Sequence, residues 1–268
     1  MMMTMTTVRW TMARLSFRRM LSWQKRPVSA QILLVILSSC TNRCQLLLER
    51  RCARTIAALA LELSIGYIPD LLCRFLYGQL NPHDARDPNE VPLESCPQYN
   101  GKINVFNSAS SRFFAPSDLS GIGGMRCEHI RACPMWRNEH PRYDCIFVNT
   151  NPDLEGMAGL DVARVLTFFS FSYRAVLYPC AVVRWYDIVG DSPDKNTGMW
   201  VVRPSRRANN SPNISIIHVD TIYRAAHLIP IYGTRFISPN LQHYQSYDSF
   251  QRYYVNKYAD HHAFEIAS

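Results

Sequence analysis

Along "CAVVRWYDIV" (residues 180–189) β-branched and aromatic residues run with a partial period-two alternation of apolar and polar positions. Ala181, Val183, Trp185 and Asp187 share one face of the strand this predicts, and Val182, Arg184, Tyr186 and Ile188 the other. The same texture recurs in "KINVFNSA" (102–109), "YDCIFVN" (143–149), "ARVLTFFSFSY" (163–173), "MWVVRP" (199–204) and "ISIIHVD" (214–220), all rich in β-branched or aromatic residues. Between them lie turn formers: "SGIGGM" (120–125), the long hairpin connection "GDSPDKNTG" (190–198) and "SRRANNSPN" (205–213). "TIYRAAHLIPIYG" (221–233) predicts one helical turn and a short closing strand. Short strands joined by polar turns, with no long crossover helices, predict an α+β fold: a mainly antiparallel β domain over 101–238, closed as a small SH3- or BAH-like barrel.

The flanks change period. "TIAALALELSIGYIPDLLCRFLYGQL" (55–80) predicts one or two amphipathic helices, with Pro69 as the break. "NPHDARDPNEVPLESCPQYNG" supplies an extended linker over 81–100. After residue 239, Tyr247, Phe250, Tyr254 and Tyr258 recur about one turn apart. They predict a C-terminal helix from Tyr247 to about Glu265, capped by Ser246 and packed on the barrel through that stripe.

Charge divides the chain. The formal net charge is +8, yet residues 1–54 hold ten Lys/Arg and one acid, leaving 19 Lys/Arg against 20 Asp/Glu in the rest. The basic balance belongs to a leading segment expected to be poorly ordered and dispensable for the stability of the rest. Its Arg, Ser and Thr with few acids are the composition of a mitochondrial transit peptide. Its apolar run around Ile32–Leu37 is too short for a membrane span of about 20 residues and is expected to form at most a short helix. No membrane partner is expected. The nine cysteines form no CxxC pair, so structural zinc is not expected and the thiols read as reduced and mostly buried; no cofactor is assigned.

Catalytic chemistry finds few of its residue types in the right setting. A carboxylate-triad transposase needs three acids converging on two metal ions. Asp144, Asp161, Asp187 and Asp220 are available, but none stands in a βαβ pattern. His218 and Asp220 share a face and read as a structural strand end, with the carboxylate accepting local backbone N–H groups. "DHH" (260–262) reads as helix C-terminal histidines. "GIGGM" lacks the Lys-Ser/Thr of a phosphate loop. No catalytic residue and no metal site are assigned. The binding candidates are Arg203, Arg206 and Arg207, three cations in one polar turn suited to phosphate contact, and Trp185 with Trp200 as an aromatic reader pair.

"RYDCIFVNTNPDLEGMAGLDVARVLTFFSF", "YPCAVVRWYDIVGDSPDKNTGMWVV", "IIHVDTIYRAAHLIPIYG" and "FQRYYVNKYADHHAFEIA" occur in order. Together with "YGQLNP" and "APSDLSGIGGMRCEHIRA" they make residues 75–268 resemble the C-terminal region of the Plavaka-type transposon proteins of mushroom-forming fungi. The resemblance implies a transposon-derived protein. In that family the catalytic region lies upstream, where this chain has about 80 unrelated residues. The expected function is a non-catalytic interaction module for nucleic acid, chromatin or another transposon-encoded protein, in the nucleus or cytoplasm. Two other readings stay open on the sequence: a fragment of a metal-dependent DNA transposase or nuclease, and a mitochondrial or membrane-associated protein.

Overall fold

The computed structural model describes residues 30–33, 53–84, 86–115, 124–137, 139–234 and 236–268. The leading segment outside 30–33 and 53–54, with its transit-peptide reading, and most of the "SGIGGM" loop lie outside the described residues. Among those described, every strand pairing is antiparallel.

The spine is a long hairpin of β7 (Leu160–Tyr173) and β8 (Val176–Ile188). Arg174 and Ala175 close it, both with positive φ (49° and 62°). A two-residue turn of that kind matches the right-handed strand twist. Each strand of the hairpin changes its outer neighbour halfway. β7 pairs first with β6 (Cys145–Asn149), then with β2 (Ile103–Phe106). β8 pairs with β10 (Ile214–His218) and, nearer its end, with β9 (Val201–Pro204). A bulge between Val165 and Thr167 marks the change, where a bent strand can serve two neighbours.

Closure follows from one short turn. Val219–Thr221 carry β10 into β11 (Ile222–Ala226), which pairs with β6 on the other side of the spine. β12 (Leu228–Pro230) and β13 (Tyr253–Val255) complete the order β11-β6-β7-β8-β9-β13-β12, a nearly closed small barrel. The hairpin is buried on both faces. Ala181 and Val183 enter one apolar cluster with Phe168, while Val182 enters another with Phe169 and Phe171.

The helices belong to this barrel. α1 (Ile56–Glu62) starts at Thr55, whose side chain accepts the Ala58 N–H. α2 (Ile68–Leu80) starts with Pro69 in its first turn, where the missing N–H costs nothing. Ile56, Leu59, Leu72 and Leu76 pack with Phe169, Phe171, Tyr178 and Ile216. A cut at residue 75 would therefore remove core, and the described fold begins at Ala53, which is buried. The 81–100 segment also packs: Val91 and Cys96 are buried against Cys73 and Tyr77, and Arg74 donates to the carbonyls of Pro88 and Val91.

Two expectations are corrected. Residues 247–265 do not form one helix. They form α3 (Ser246–Ser249), the strand β13 and α4 (His261–Ile266). "YYV" carries aromatic and β-branched residues, and pairing with β9 and β12 buries Tyr253 and Val255 completely. Tertiary pairing overrides the helical spacing. Tyr247 and Phe250 do pack on the barrel, but Tyr258 is exposed. Within the leading segment, Ala30–Leu33 form strand β1, not a helix, because an open sheet edge takes them up.

That edge belongs to a second, four-stranded sheet with the order β1-β3-β4-β5, where β3 is Ser108–Phe114, β4 Met125–Trp136 and β5 His140–Tyr143. Its inner face meets β11 through a polar seam. Arg224, almost fully buried, binds Asp260 through two N–H groups (2.9 and 2.6 Å) and lies 3.4 Å from Glu128. Its guanidinium stands over the Phe113 ring at 4.5 Å.

Candidate interaction face

The three loop arginines do not converge. Arg203 is exposed on β9, 3.8 Å from Asp187 on the neighbouring strand. Arg206 donates to the Asn210 carbonyl at 2.9 Å. Arg207 donates to the Ile214 carbonyl at 2.7 Å and lies over the Tyr67 ring, tying the β9–β10 connection to the helices. Two of the three therefore hold their own loop, with part of their donor capacity already spent on backbone.

The two tryptophans lie in different clusters. Trp185 packs in the cluster of Phe168 and Val183, and its N–H donates to Ser215 Oγ at 2.7 Å. Trp200 packs with Tyr186, Val202 and Tyr253. A cage for a cation needs aromatic walls around one point, and these indoles do not share one.

The acids are dispersed. Asp144 accepts the Arg131 N–H and pairs with Arg142. Asp161, on β7, is pushed up by burial; the Thr150 hydroxyl opposes this and Asp187 adds to it. At the strand end the roles are reversed from expectation. His218 Nδ1, not the Asp220 carboxylate, accepts the local backbone N–H, that of Asp220, at 3.3 Å. Burial lowers the His218 pKa and Asp220 opposes it. Asp260 N-caps α4 by accepting the Ala263 N–H, so "DHH" opens a helix and does not end one. His262 is buried and stacked on Phe113, and both burial and Arg224 lower its pKa. Among the described residues no group of three or more His, Cys, Asp or Glu is placed to hold a metal ion.

The residues the structure does bring together sit on the outer face of the small sheet. Register sets Arg112 opposite Cys127 and Ser110 opposite His129. Alternation then places Arg112, Cys127, His129 and Arg131 outward, while Ala109, Phe113, Ile130 and Ala132 are buried inward. Glu128 also turns inward: it accepts the Ala225 N–H and faces Arg224, and burial raises its pKa. The outward face thus loses a carboxylate that its sequence would otherwise show.

At the hairpin end the cations gather on one indole. The guanidiniums of Arg131, Arg142 and Arg137 lie 4.6, 5.3 and 5.6 Å from the Trp136 ring centroid. The bulge between Cys133 and Trp136 turns the indole to meet them, and Arg137 sits at positive φ (53°) as the chain reverses. Each exposed cation–π contact contributes about 0.5–1 kcal/mol. More usefully, the ring fixes flexible side chains in place, and Arg142 is held further by the Asp144 carboxylate, to which its Nε and Nη2 donate at 2.9 and 3.3 Å. Next to it, His140 stacks on Tyr244 at 4.5 Å, and Asp248 is held by Arg164 and Arg184 at 2.9 and 3.2 Å. Sequence reasoning passed over this hairpin because "MRCEHIRACPMW" has no clean apolar alternation. The signal available was four arginines and a tryptophan within residues 126–142.

A small antiparallel barrel with a charged sheet docked on it is the class that fold and face define. Comparison with family models, with curated proteins and with solved structures finds no match to this chain.

Proposed function

We propose that the chain is a non-catalytic interaction module that binds the phosphate backbone of nucleic acid through the outer face of β3–β5. The observation that carries this is the arrangement of Arg131, Arg137 and Arg142 around Trp136, on a face that also bears Arg112. Guanidiniums pre-ordered on an aromatic ring lose less freedom when they meet phosphate, and they read charge and not base identity. The dispersed acids favour binding over phosphodiester cleavage. The ordered likeness to the C-terminal region of Plavaka-type transposon proteins supports the same reading. The motifs that carry it include β6–β9 and β10–β12, so the origin we propose is a transposon protein whose DNA-handling accessory region this barrel represents.

The test is fluorescence anisotropy with a labelled 20-base-pair duplex and its single strand. The combined Arg131→Ala, Arg137→Ala and Arg142→Ala variant should bind at least tenfold more weakly than the parent. Equal affinity, or metal-dependent cleavage of the duplex by the parent, would remove this reading.

A further inference from the structure

The small sheet carries a second feature, independent of its basic face. β3 pairs along its whole length with β4, from Ser108↔Arg131 to Phe114↔Met125, without a register shift. Its other edge would be open but for the four residues Ala30–Leu33, which pair antiparallel with Ser110–Phe113. An open strand edge presents unpaired N–H and C=O groups, and proteins guard such edges with proline, lysine, bulges or short strands. β3 has none of these guards: it is seven residues long and unbulged, and it contains neither proline nor lysine. Of the four β3 residues paired with Ala30–Leu33, Ser110 and Ser111 are small and nearly fully buried, whereas Arg112 and Phe113 are large. Two of the hydroxyls are already engaged sideways. Ser110 Oγ lies 3.1 Å from Cys127 Sγ, and Ser111 Oγ donates to the Tyr223 carbonyl. They do not compete for the edge amides.

The occupant is not a neighbour in sequence. Nineteen residues, 34–52, separate Leu33 from Ala53, where the continuous fold begins. At about 3.3–3.6 Å per extended residue, such a tether reaches roughly 60 Å and dictates no particular docking place. Residues 27–42 around the strand carry no charged side chain, and "ILLVIL" supplies apolar and β-branched residues suited to an edge. We infer that the β3 edge is a strand-accepting site for an extended, uncharged apolar peptide, bound antiparallel, and that Ala30–Leu33 is its tethered occupant. The ligand is recognised by main-chain hydrogen bonds along the β3 edge. Belonging to the same chain, the docked strand binds intramolecularly and outcompetes a free peptide at low concentration. A free peptide therefore enters only when the tethered strand is disabled.

The test uses the full chain and amide hydrogen exchange read by mass spectrometry. Gln31→Pro with Leu33→Pro removes N–H groups from the docking strand. Fragments covering Ser108–Phe114 should then exchange at least tenfold faster than in the parent, while those covering β7 and β8 stay protected. Adding a peptide of residues 25–37, "KRPVSAQILLVIL", at millimolar concentration should restore protection to β3, and the same peptide carrying the two prolines should not. Gln31→Gly with Leu33→Gly keeps every N–H and should give a smaller loss in the same fragments, which guards against a misfolded proline variant. If β3 exchanges as fast in the parent as in both variants, or if the peptide restores nothing, the inference is overturned.

Discussion

The barrel and the small sheet are both antiparallel, yet buried charge has a different share in holding each. The β7–β8 spine is buried among Phe168, Phe169, Val165, Val182 and Val183, each with no exposed surface. The small sheet joins the barrel in two ways: Ala109, Ile130 and Ala132 pack with Ile146, Val148 and Phe168, and beside them Arg224, Asp260, Glu128 and His262 form a polar cluster. Apolar burial is non-directional and stabilises whatever brings the surface together. A buried ion cluster stabilises only when every partner is present, because each charge left alone carries its full desolvation cost. The contrast predicts that the barrel tolerates shape changes in proportion to the volume lost, whereas the small sheet, held by apolar contact and charge together, also responds to single charges.

The largest effect should come from the barrel. Phe169→Ala should lower stability by about 3–5 kcal/mol, the range for a large aromatic removed from a core. Urea unfolding should show the loss by far-ultraviolet and fluorescence signals together. Arg224→Met is expected to cost about 3 kcal/mol, because it leaves Asp260 and Glu128 uncompensated. Its signature differs: amide exchange should rise first in β3 and β4 and at α4, and later in β7–β8. Uniform loosening in both variants would erase the distinction between the two regions.

The polar seam also makes stability depend on pH. Burial and the Arg224 charge lower the His262 pKa, so its folded value lies below its unfolded one. The stability it contributes is complete above the ordinary histidine range and is lost as pH falls through that range and below. Asp260, lowered to about 2 chiefly by its hydrogen bonds from Arg224, contributes above the ordinary carboxylate range and is lost only as pH falls towards 2. Glu128 acts in the opposite sense: its raised pKa favours the folded state at low pH, and that contribution fades as pH rises through the folded value. As pH falls below 7 the stability contributed by His262 and His218, both lowered by burial, is lost, while Glu128 and Asp161, both raised by burial, oppose the loss. Between pH 7 and 5 the urea midpoint should fall less in His262→Gln than in the parent. An unchanged slope would show that the seam does not sense the proton.

A smaller effect separates the two sets of arginines. Arg207→Ala should cost about 1 kcal/mol, the usual worth of one hydrogen bond, since it loses the Ile214 carbonyl and the Tyr67 ring. Arg137→Ala, at an exposed turn, should leave the melting temperature nearly unchanged.

What the sequence made legible follows the same division. Period-two alternation marked β2 and β6–β10, because strands buried in a barrel must alternate or run apolar. The small sheet escaped because "SASSRFF" and "MRCEHIRACPMW" place Ser111 and Glu128 at inward positions that a polar seam receives. The C-terminal tyrosines happened to fit a helical spacing, while Tyr253, which that stripe left out, is the one fully buried. The site was less legible than the fold. "RPSRR" is the densest basic cluster in the β region, but two of its arginines are committed to backbone carbonyls of their own loop. Arg131, Arg137 and Arg142 are spread over twelve residues and meet only because a hairpin folds them onto Trp136.

The most direct measurement of the account is the salt dependence of duplex binding for the parent and for two triple variants. Each phosphate contact adds about 0.9 to the slope of log affinity against log salt concentration. Alanine at Arg131, Arg137 and Arg142 should lower that slope by about 2–3, whereas alanine at Arg203, Arg206 and Arg207 should change it by less than about 1. If the loop variant loses the slope and the hairpin variant keeps it, the binding face lies on the barrel turn and the account of the small sheet is wrong.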